Sequence, residues 1–320
     1  MSCSAHGNNG MNRRSFFRAA AGAAGGMAAL VAALEPLKSL DTSDFTVEKF
    51  LQQHYKELDE DEMAKVLARI TREVEERYHV RPDIKDVKPM DGVEFVYALN
   101  LGACIGCRKC VHACVAENNQ SRDPEIQYIR VLEMPTGTID IEKGNHNYDS
   151  PTVPKDGHFY MPVQCHQSQN PPCTKVCPVE ATWQEPDGIT VIDYDWCIGC
   201  RYCEAACPYF ARRFNFTEPS IPQEEVNPNM SYLSNRPRHK GVMEKCHFCL
   251  HRTRNGQNPA CLEVCPVGAR KFGNIKDPNS DVSQVLKNKR VFVLKEEVGT
   301  IPRFFYYFDD DYHRSQGEDR

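Results

Sequence analysis

Three observations predict an α+β fold in which one cysteine-rich unit is used twice, with one copy inserted in the other. The 320-residue chain carries 16 cysteines, an excess to be read first as ligand chemistry or disulfides. Fifteen of them fall into four groups that match one another in pairs. Strand-like segments lead into the groups, and one long helical period precedes them all. Length allows one large or two ordinary domains. Apolar residues at 41% and charged residues at 26% argue against wholesale disorder. A formal net charge of -5 leaves no basic excess, which argues against a nucleic acid partner. No run of 18 strongly apolar residues marks a membrane-spanning helix.

Residues 1–33 read as a signal. Asn12-Arg13-Arg14-Ser15-Phe16-Phe17-Arg18 precedes the stretch Ala19 to Leu34, drawn only from Ala, Gly, Leu, Val and Met. A basic n-region before a short apolar h-region is a secretory signal. Paired arginines followed by Ser-Phe-Phe resemble the twin-arginine export signal. Val31 and Ala33 permit cleavage after Ala33, which removes Cys3; retention of the segment as an anchor stays open. This route carries folded cargo, so signal and cysteines together point to a cofactor inserted in the cytoplasm and a protein working on the membrane's outer, periplasmic face.

Residues 34–91 read as an acidic helical arm and a linker. Met63, Val66, Leu67, Ile70, Val74 and Tyr78 recur at three- and four-residue intervals, one apolar stripe on a charged helix. Asp59 is the expected N-cap, with Glu60, Asp61 and Glu62 complementing the helix dipole. The stripe is expected to bury against this chain's own core or against a partner subunit. Arg81-Pro82 and Lys88-Pro89 then mark a linker. The core is expected over residues 92–275, with an inner half at about 158–216. Its strand-like segments are Val93-Phe95-Tyr97-Leu99, which alternate, then Phe159 to Val163, Ile189 to Tyr194 and Ala269 to Gly273. Two long Pro- and Asn-rich connections, Asn118 to Gly157 and Thr217 to Lys240, separate the groups, as functional or partner-facing loops do. The tail, residues 276–320, shows one short strand at Val291 to Leu294 and an aromatic run at Phe304 to Phe308.

Group one is Cys104-Ile-Gly-Cys107-Arg-Lys-Cys110-Val-His-Ala-Cys114, and group three is Cys197-Ile-Gly-Cys200-Arg-Tyr-Cys203-Glu-Ala-Ala-Cys207-Pro208. Both follow C-x2-C-x2-C-x3-C, the run by which ferredoxins hold 4Fe-4S clusters. A tight turn at Gly106 or Gly199 lets three thiolates reach three corners of a cube while backbone N–H groups point at its sulfides. The fourth Cys, one helical turn on, faces away and serves the other cluster of a pair. Group two, Cys165-His-Gln-Ser168 through Cys173 to Cys177-Pro178, and group four, Cys246-His-Phe-Cys249 through Cys261 to Cys265-Pro266, keep the closing C-x3-C-P with the third ligand displaced by an insertion. The chain is therefore expected to be a duplicated two-cluster ferredoxin-like unit. Structural zinc needs neither the third Cys nor the Pro. Disulfides suit an exported protein, but cysteines on one turn close poorly.

Pairing follows from separation. Cys177 and Cys197 lie as close as expected inside one unit, so groups two and three form the inserted half and groups one and four close around it. One cluster then takes Cys104, Cys107, Cys110 and Cys265, and its neighbour takes Cys246, Cys249, Cys261 and Cys114. A third takes Cys197, Cys200, Cys203 and Cys177. The fourth has Cys165, Cys173 and Cys207, with Ser168 where a cysteine belongs. Serine is a harder, more basic donor that holds the labile iron corner weakly. A 3Fe-4S cluster is the expected occupant, with a 4Fe-4S cluster carrying serine or water on one iron as the alternative.

At these groups the chain resembles the iron-sulfur subunit of the DMSO reductase and polysulfide reductase family, over roughly Gly92 to Asn274. As an exported form without its own anchor it is similar to the subunits of alternative complex III and of periplasmic-facing quinone reductase complexes. The resemblance implies four clusters in a row, and the three complete cysteine sets make three of them 4Fe-4S. It also implies single-electron transfer between a polytopic, quinone-reactive membrane subunit and a second redox subunit, molybdopterin-type or multihaem cytochrome. Two departures are Ser168 and Val115, which replaces the Pro closing the other groups. Nothing resembles a substrate-pocket motif, a P-loop or a dinucleotide fingerprint, so catalysis is expected in other chains. A free periplasmic multi-cluster ferredoxin is the alternative; an enzyme working at an open Ser168 corner lacks an acid–base constellation. Arg108, Lys109, Arg201 and Lys245 are candidate potential-raising charges or else solvated surface. His112, His166, His247 and His251 are expected to pack or lie at the surface.

Overall fold

In the computed structural model, which describes residues 58–309, the periodic acidic segment is helix α1 (Glu60–Tyr78). Asp59 caps it: its carboxylate accepts the Glu62 N–H at 2.8 Å, and the Glu62 carboxylate accepts the Asp59 N–H at 3.3 Å. Two otherwise orphaned donors are thereby satisfied. Ile70, Val74 and Tyr78 are buried in the main core, and Met63, Val66 and Leu67 pack partly buried against it. Arg69 reaches Asp195 at 2.6 Å and Arg77 reaches Glu218 at 2.7 Å. The stripe is thus covered by this chain itself, and it is not a free face for a partner. The export signal expected at residues 1–33 lies outside the described residues.

The expected linker contains a strand. β1 (Asp83–Lys85) runs parallel to a strand inside the second long connection, so neither segment is bare loop. β2 (Phe95–Asn100) feeds group one, whose helix is α2 (Lys109–Glu117). The first long connection holds β3 (Arg130–Pro135), which pairs antiparallel with β4 (His158–Val163) ahead of group two. Group two closes on α3 (Pro172–Lys175), and the hairpin β5 (Thr182–Gln184) and β6 (Thr190–Ile192) leads into group three with α4 (Tyr202–Ala205). β7 (Arg212–Phe214) follows, then β8 (Asn229–Ser231), the partner of β1, and β9 (Met243–Lys245). Group four carries α5 (Leu250–Thr253) and α6 (Ala260–Glu263), and β10 (Arg270–Asn274) leaves it. Pro178, Pro208 and Pro266 lie two residues past the caps of α3, α4 and α6, where a helix cannot continue. Val115 imposes no such stop, and α2 runs on to Glu117.

The strand entering group one pairs with the strand leaving group four, β2 with β10; β7, leaving group three, pairs with β9, entering group four. The tail departs from expectation. It adds helix α7 (Asp281–Asn288), shortens the short strand to β11 (Val291–Phe292), and inserts the aromatic run as β12 (Phe304–Tyr307). The central sheet has the order β10-β2-β12-β11, with β12 parallel to β2. β2 is therefore covered on both faces and both edges, and all six of its residues are buried, where alternation suggests one wet face. Tyr97 stacks on Phe304 with ring centroids 4.9 Å apart. The sheet thereby joins the strand that enters group one to the strand that leaves group four.

Candidate cluster-binding sites

Each group opens on a turn with one backbone feature in common. Its third residue has positive φ in all four: Gly106 at 73°, Gln167 at 44°, Gly199 at 69° and Phe248 at 53°. Ser168 therefore occupies the position that Cys107, Cys200 and Cys249 hold in the other turns. In groups one, three and four the N–H of that third residue donates to the sulfur of the opening cysteine, Cys104, Cys197 or Cys246. α2 packs on α6 and α3 on α4, which brings group one against group four and group two against group three.

Four cavities result. Cavity I is lined by Cys104, Cys107, Cys110 and Cys265; cavity II by Cys114, Cys246, Cys249 and Cys261. Cavity III is lined by Cys165, Ser168, Cys173 and Cys207; cavity IV by Cys177, Cys197, Cys200 and Cys203. The fifteen described cysteines are all free thiols. Among the described residues no three His, Cys, Asp or Glu side chains converge tightly enough to bind a single metal ion. The thiols ring spaces; they do not close on a point, which suits a polynuclear cluster and not one zinc. Burial pushes Cys104 and Cys249 up to about 12 and Cys203 up to about 11. Thiolates in these walls require positive charge inside the cavity, which iron supplies. The residues present fit iron-sulfur clusters.

Cavity II is the most heavily hydrogen-bonded. Asn118 and Gln120 donate to the Cys114 sulfur at 3.4 and 3.2 Å, Gln164 donates to Cys246 at 3.7 Å, and the Tyr97 hydroxyl lies 3.4 Å from Cys261. Such donors stabilise added negative charge on a ligating sulfur. Sequence reading missed all of them, together with the fully buried Arg212 and Arg270. Of the flanking charges it named, Lys109 and Arg201 are exposed and Arg108 is half-buried, its guanidinium 4.2 Å from the Tyr148 ring centroid. Lys245 is 2% exposed, which excludes the solvated-surface alternative. Burial pulls its ammonium below the usual lysine range, and Cys165 and Cys246 oppose that pull.

His112 is exposed. His166 lines cavity III, stacked between Tyr209 and Phe304 at 4.0 and 5.2 Å, and burial drives it down to about 3, a neutral ring. His251 bonds Glu117 at 2.7 Å and Ser234 at 2.6 Å, and Ser234 contacts His247, which lines cavity II.

A 4Fe-4S dicluster domain model matches residues 157–223 and 222–275. The chain is 40% identical to a subunit of the selenate reductase of Mesobacillus selenatarsenatis, over 68% of this chain and 73% of that one. It is 34% identical to the iron-sulfur cluster-binding subunit of menaquinone reductase from Nitratidesulfovibrio vulgaris, over 71% and 93%. One polypeptide of the polysulfide reductase of Wolinella succinogenes matches at 34% identity, over 63% and 87%.

Proposed function

The chain belongs to the iron-sulfur subunits of the DMSO reductase and polysulfide reductase family, and from that premise we propose that it relays single electrons through four clusters within a respiratory complex. Bound clusters would supply the one-electron carriers. Cys104, Cys107, Cys110 and Cys265 would hold one, Cys114, Cys246, Cys249 and Cys261 the next. Cys165, Cys173 and Cys207, with Ser168 beside them, would hold a third, and Cys177, Cys197, Cys200 and Cys203 the last. Duplication with one half inserted is supported by the packing of groups two and three on each other between groups one and four.

The observation that carries the reading is the succession of the cavities. Arg270 lines cavity I and touches Cys261 of cavity II, and Arg212 lines both III and IV. At the cavity IV end Cys200 is exposed, rimmed by Ile198, Tyr202 and Phe216, all more than half exposed. An apolar rim around an exposed ligand suits contact with another redox subunit. The partners on this reading are a quinone-reactive polytopic membrane protein and a second redox subunit of molybdopterin or multihaem type. The menaquinone reductase relative supports the quinone side. Solubilised gently from native membranes, the protein is expected to co-purify with both, and its reduced form to be reoxidised by a quinone analogue only in that assembly. A monomer that leaves the membrane quantitatively would instead be a free multi-cluster ferredoxin.

The same reading puts the protein on the outer face of the membrane, exported folded. Its support is Arg13-Arg14 ahead of the Ala- and Gly-rich stretch. Replacing both arginines by lysine is expected to hold the iron-loaded protein in the cytoplasm. Undiminished export of that variant, followed by fractionation and immunoblotting, would refute the assignment.

A further inference from the structure

Three cations are buried among the cysteine cavities, one at each boundary between successive cavities. Arg270, 3% exposed, lines cavity I, and its Nη1 lies 3.8 Å from the Cys261 sulfur of cavity II and donates to Gln164 Oε1 at 3.0 Å. Lys245 donates to the carbonyl of Cys246, which lines cavity II, at 2.9 Å, and to the carbonyl of Thr190, which lines cavity III. Arg212, 1% exposed, lines cavities III and IV and donates to Thr182 Oγ1 at 2.9 Å. Nε and Nη1 of Arg212 and Nη2 of Arg270 are buried with no oxygen partner, and the cavity thiols Cys173 and Cys110 are groups that bond the two guanidiniums.

Placement of the arginines is part of the repeat. Both close the run C-P-x-x-A-R, Cys207-Pro-Tyr-Phe-Ala-Arg212 and Cys265-Pro-Val-Gly-Ala-Arg270. The equivalent run after group two, Cys177-Pro-Val-Glu-Ala-Thr182, ends on the hydroxyl that receives Arg212.

A buried cation is normally met by a carboxylate, as Arg254 is by Asp187 at 2.7 Å and Arg238 by Glu244 at 3.0 Å. Among the described residues none of the three junction cations has one. An unpaired buried charge is strongly destabilising, so the countercharge belongs in the cavities. A cluster held by thiolates is an anion and becomes more so on reduction. Each arginine borders two such sites, and Lys245, bonded to backbone of residues lining cavities II and III, lies within electrostatic reach of Cys246 and Cys165, so an added electron on either side is stabilised by the same charge.

We propose that Arg270, Lys245 and Arg212 are positioning charges that set the electron affinity of the clusters in pairs, one cation shared by each two neighbours. The series runs cavity I, Arg270, cavity II, Lys245, cavity III, Arg212, cavity IV. The cations take up no electron themselves. They keep adjacent sites within easy exchange of one electron by raising both together. This rests on the cluster-relay reading given above.

The test is a redox titration followed by electron paramagnetic resonance on the complete complex, with iron and sulfide quantified first. Arg212→Gln is expected to keep its iron and to lower the electron affinity of two centres, those of cavities III and IV, by at least about tenfold, roughly 59 mV for one electron. The centres of cavities I and II should stay in place, and Arg212→Lys should restore most of the loss. Lys109→Gln, at an exposed cation beside cavity I, should move nothing comparably, because water screens it. If Arg212→Gln fails to load iron, Lys245→Met decides the matter by the same criterion at cavities II and III. Unmoved potentials in a loaded variant, or a shift confined to one centre, would overturn the shared-cation proposal and leave the relay standing. Wild-type protein isolated without iron and sulfide would overturn both.

Discussion

Gly199→Ala is expected to cost the protein the metal of cavity IV, about a quarter of its iron, with no second substitution restoring it. Gly199 sits at φ 69°, where a side chain is strained. Its added Cβ would lie 2.0 Å from the Gly241 carbonyl oxygen and 3.0 Å from the Phe214 ring. Gly241 cannot retreat cheaply, since its N–H donates to the Asn215 carbonyl at 2.8 Å and the Asn215 N–H donates to the Val242 carbonyl at 3.0 Å. The turn must move instead, taking Cys197 and Cys200 with it and withdrawing the Gly199 N–H from the Cys197 sulfur. Gly106 is the informative contrast. There the added Cβ meets the Tyr160 ring at 2.4 Å, a side chain and not backbone. Gly106→Ala should therefore lose cavity I iron alone but recover part of it with Tyr160→Ala, a favourable coupling of roughly 1 kcal/mol or more. Iron and acid-labile sulfide assays with thermal unfolding of each variant check both. Full iron in Gly199→Ala would show that the turn tolerates what its geometry forbids.

What could be read in advance was what is local. Metal ligation imposes short spacings, so the four thiol sets stand out in the chain, and the cavities bring each expected set together. The α1 cap was legible because Asp59 and Glu62 are neighbours along one turn. The pairing of β1 with β8 was not, since two three-residue strands far apart in the chain carry no periodicity of their own. β12 reads in the sequence as no more than an aromatic run because a strand buried on both faces has no alternation to show. α7 did leave a signal, Ser280 as N-cap ahead of Val282 and Val285, which short length obscured. Arg212 and Arg270 were missed for a physical reason: arginine in a strand is ordinarily a solvent-facing residue. Only the repetition of C-P-x-x-A-R distinguishes them, and that pattern becomes meaningful once the cavities on either side are seen.

Ser168→Cys is expected to change the identity of a centre. Ser168 follows a residue of positive φ, Gln167, as Cys107, Cys200 and Cys249 follow theirs, and it lines cavity III with Cys165, Cys173 and Cys207. Three thiolates and a hydroxyl would hold three iron corners firmly and the fourth weakly, because serine gives up its proton far less readily than cysteine and is a harder donor. On the proposed reading a 3Fe-4S cluster would occupy this wall, and its higher potential would make cavity III an electron sink within the relay. A three-iron centre is paramagnetic when oxidised, whereas ordinary oxidised 4Fe-4S clusters are silent. The freshly prepared, air-oxidised wild type should therefore give one near-isotropic signal close to the free-electron position. Ser168→Cys should abolish it and add a fourth reducible 4Fe-4S centre, with one more iron per chain. Ser168→Ala, which removes the oxygen but adds no thiol, should keep the signal unchanged. A fully loaded wild type that is silent when oxidised would assign the fourth iron to the serine oxygen instead, and Ser168→Ala would then be the variant that loses it.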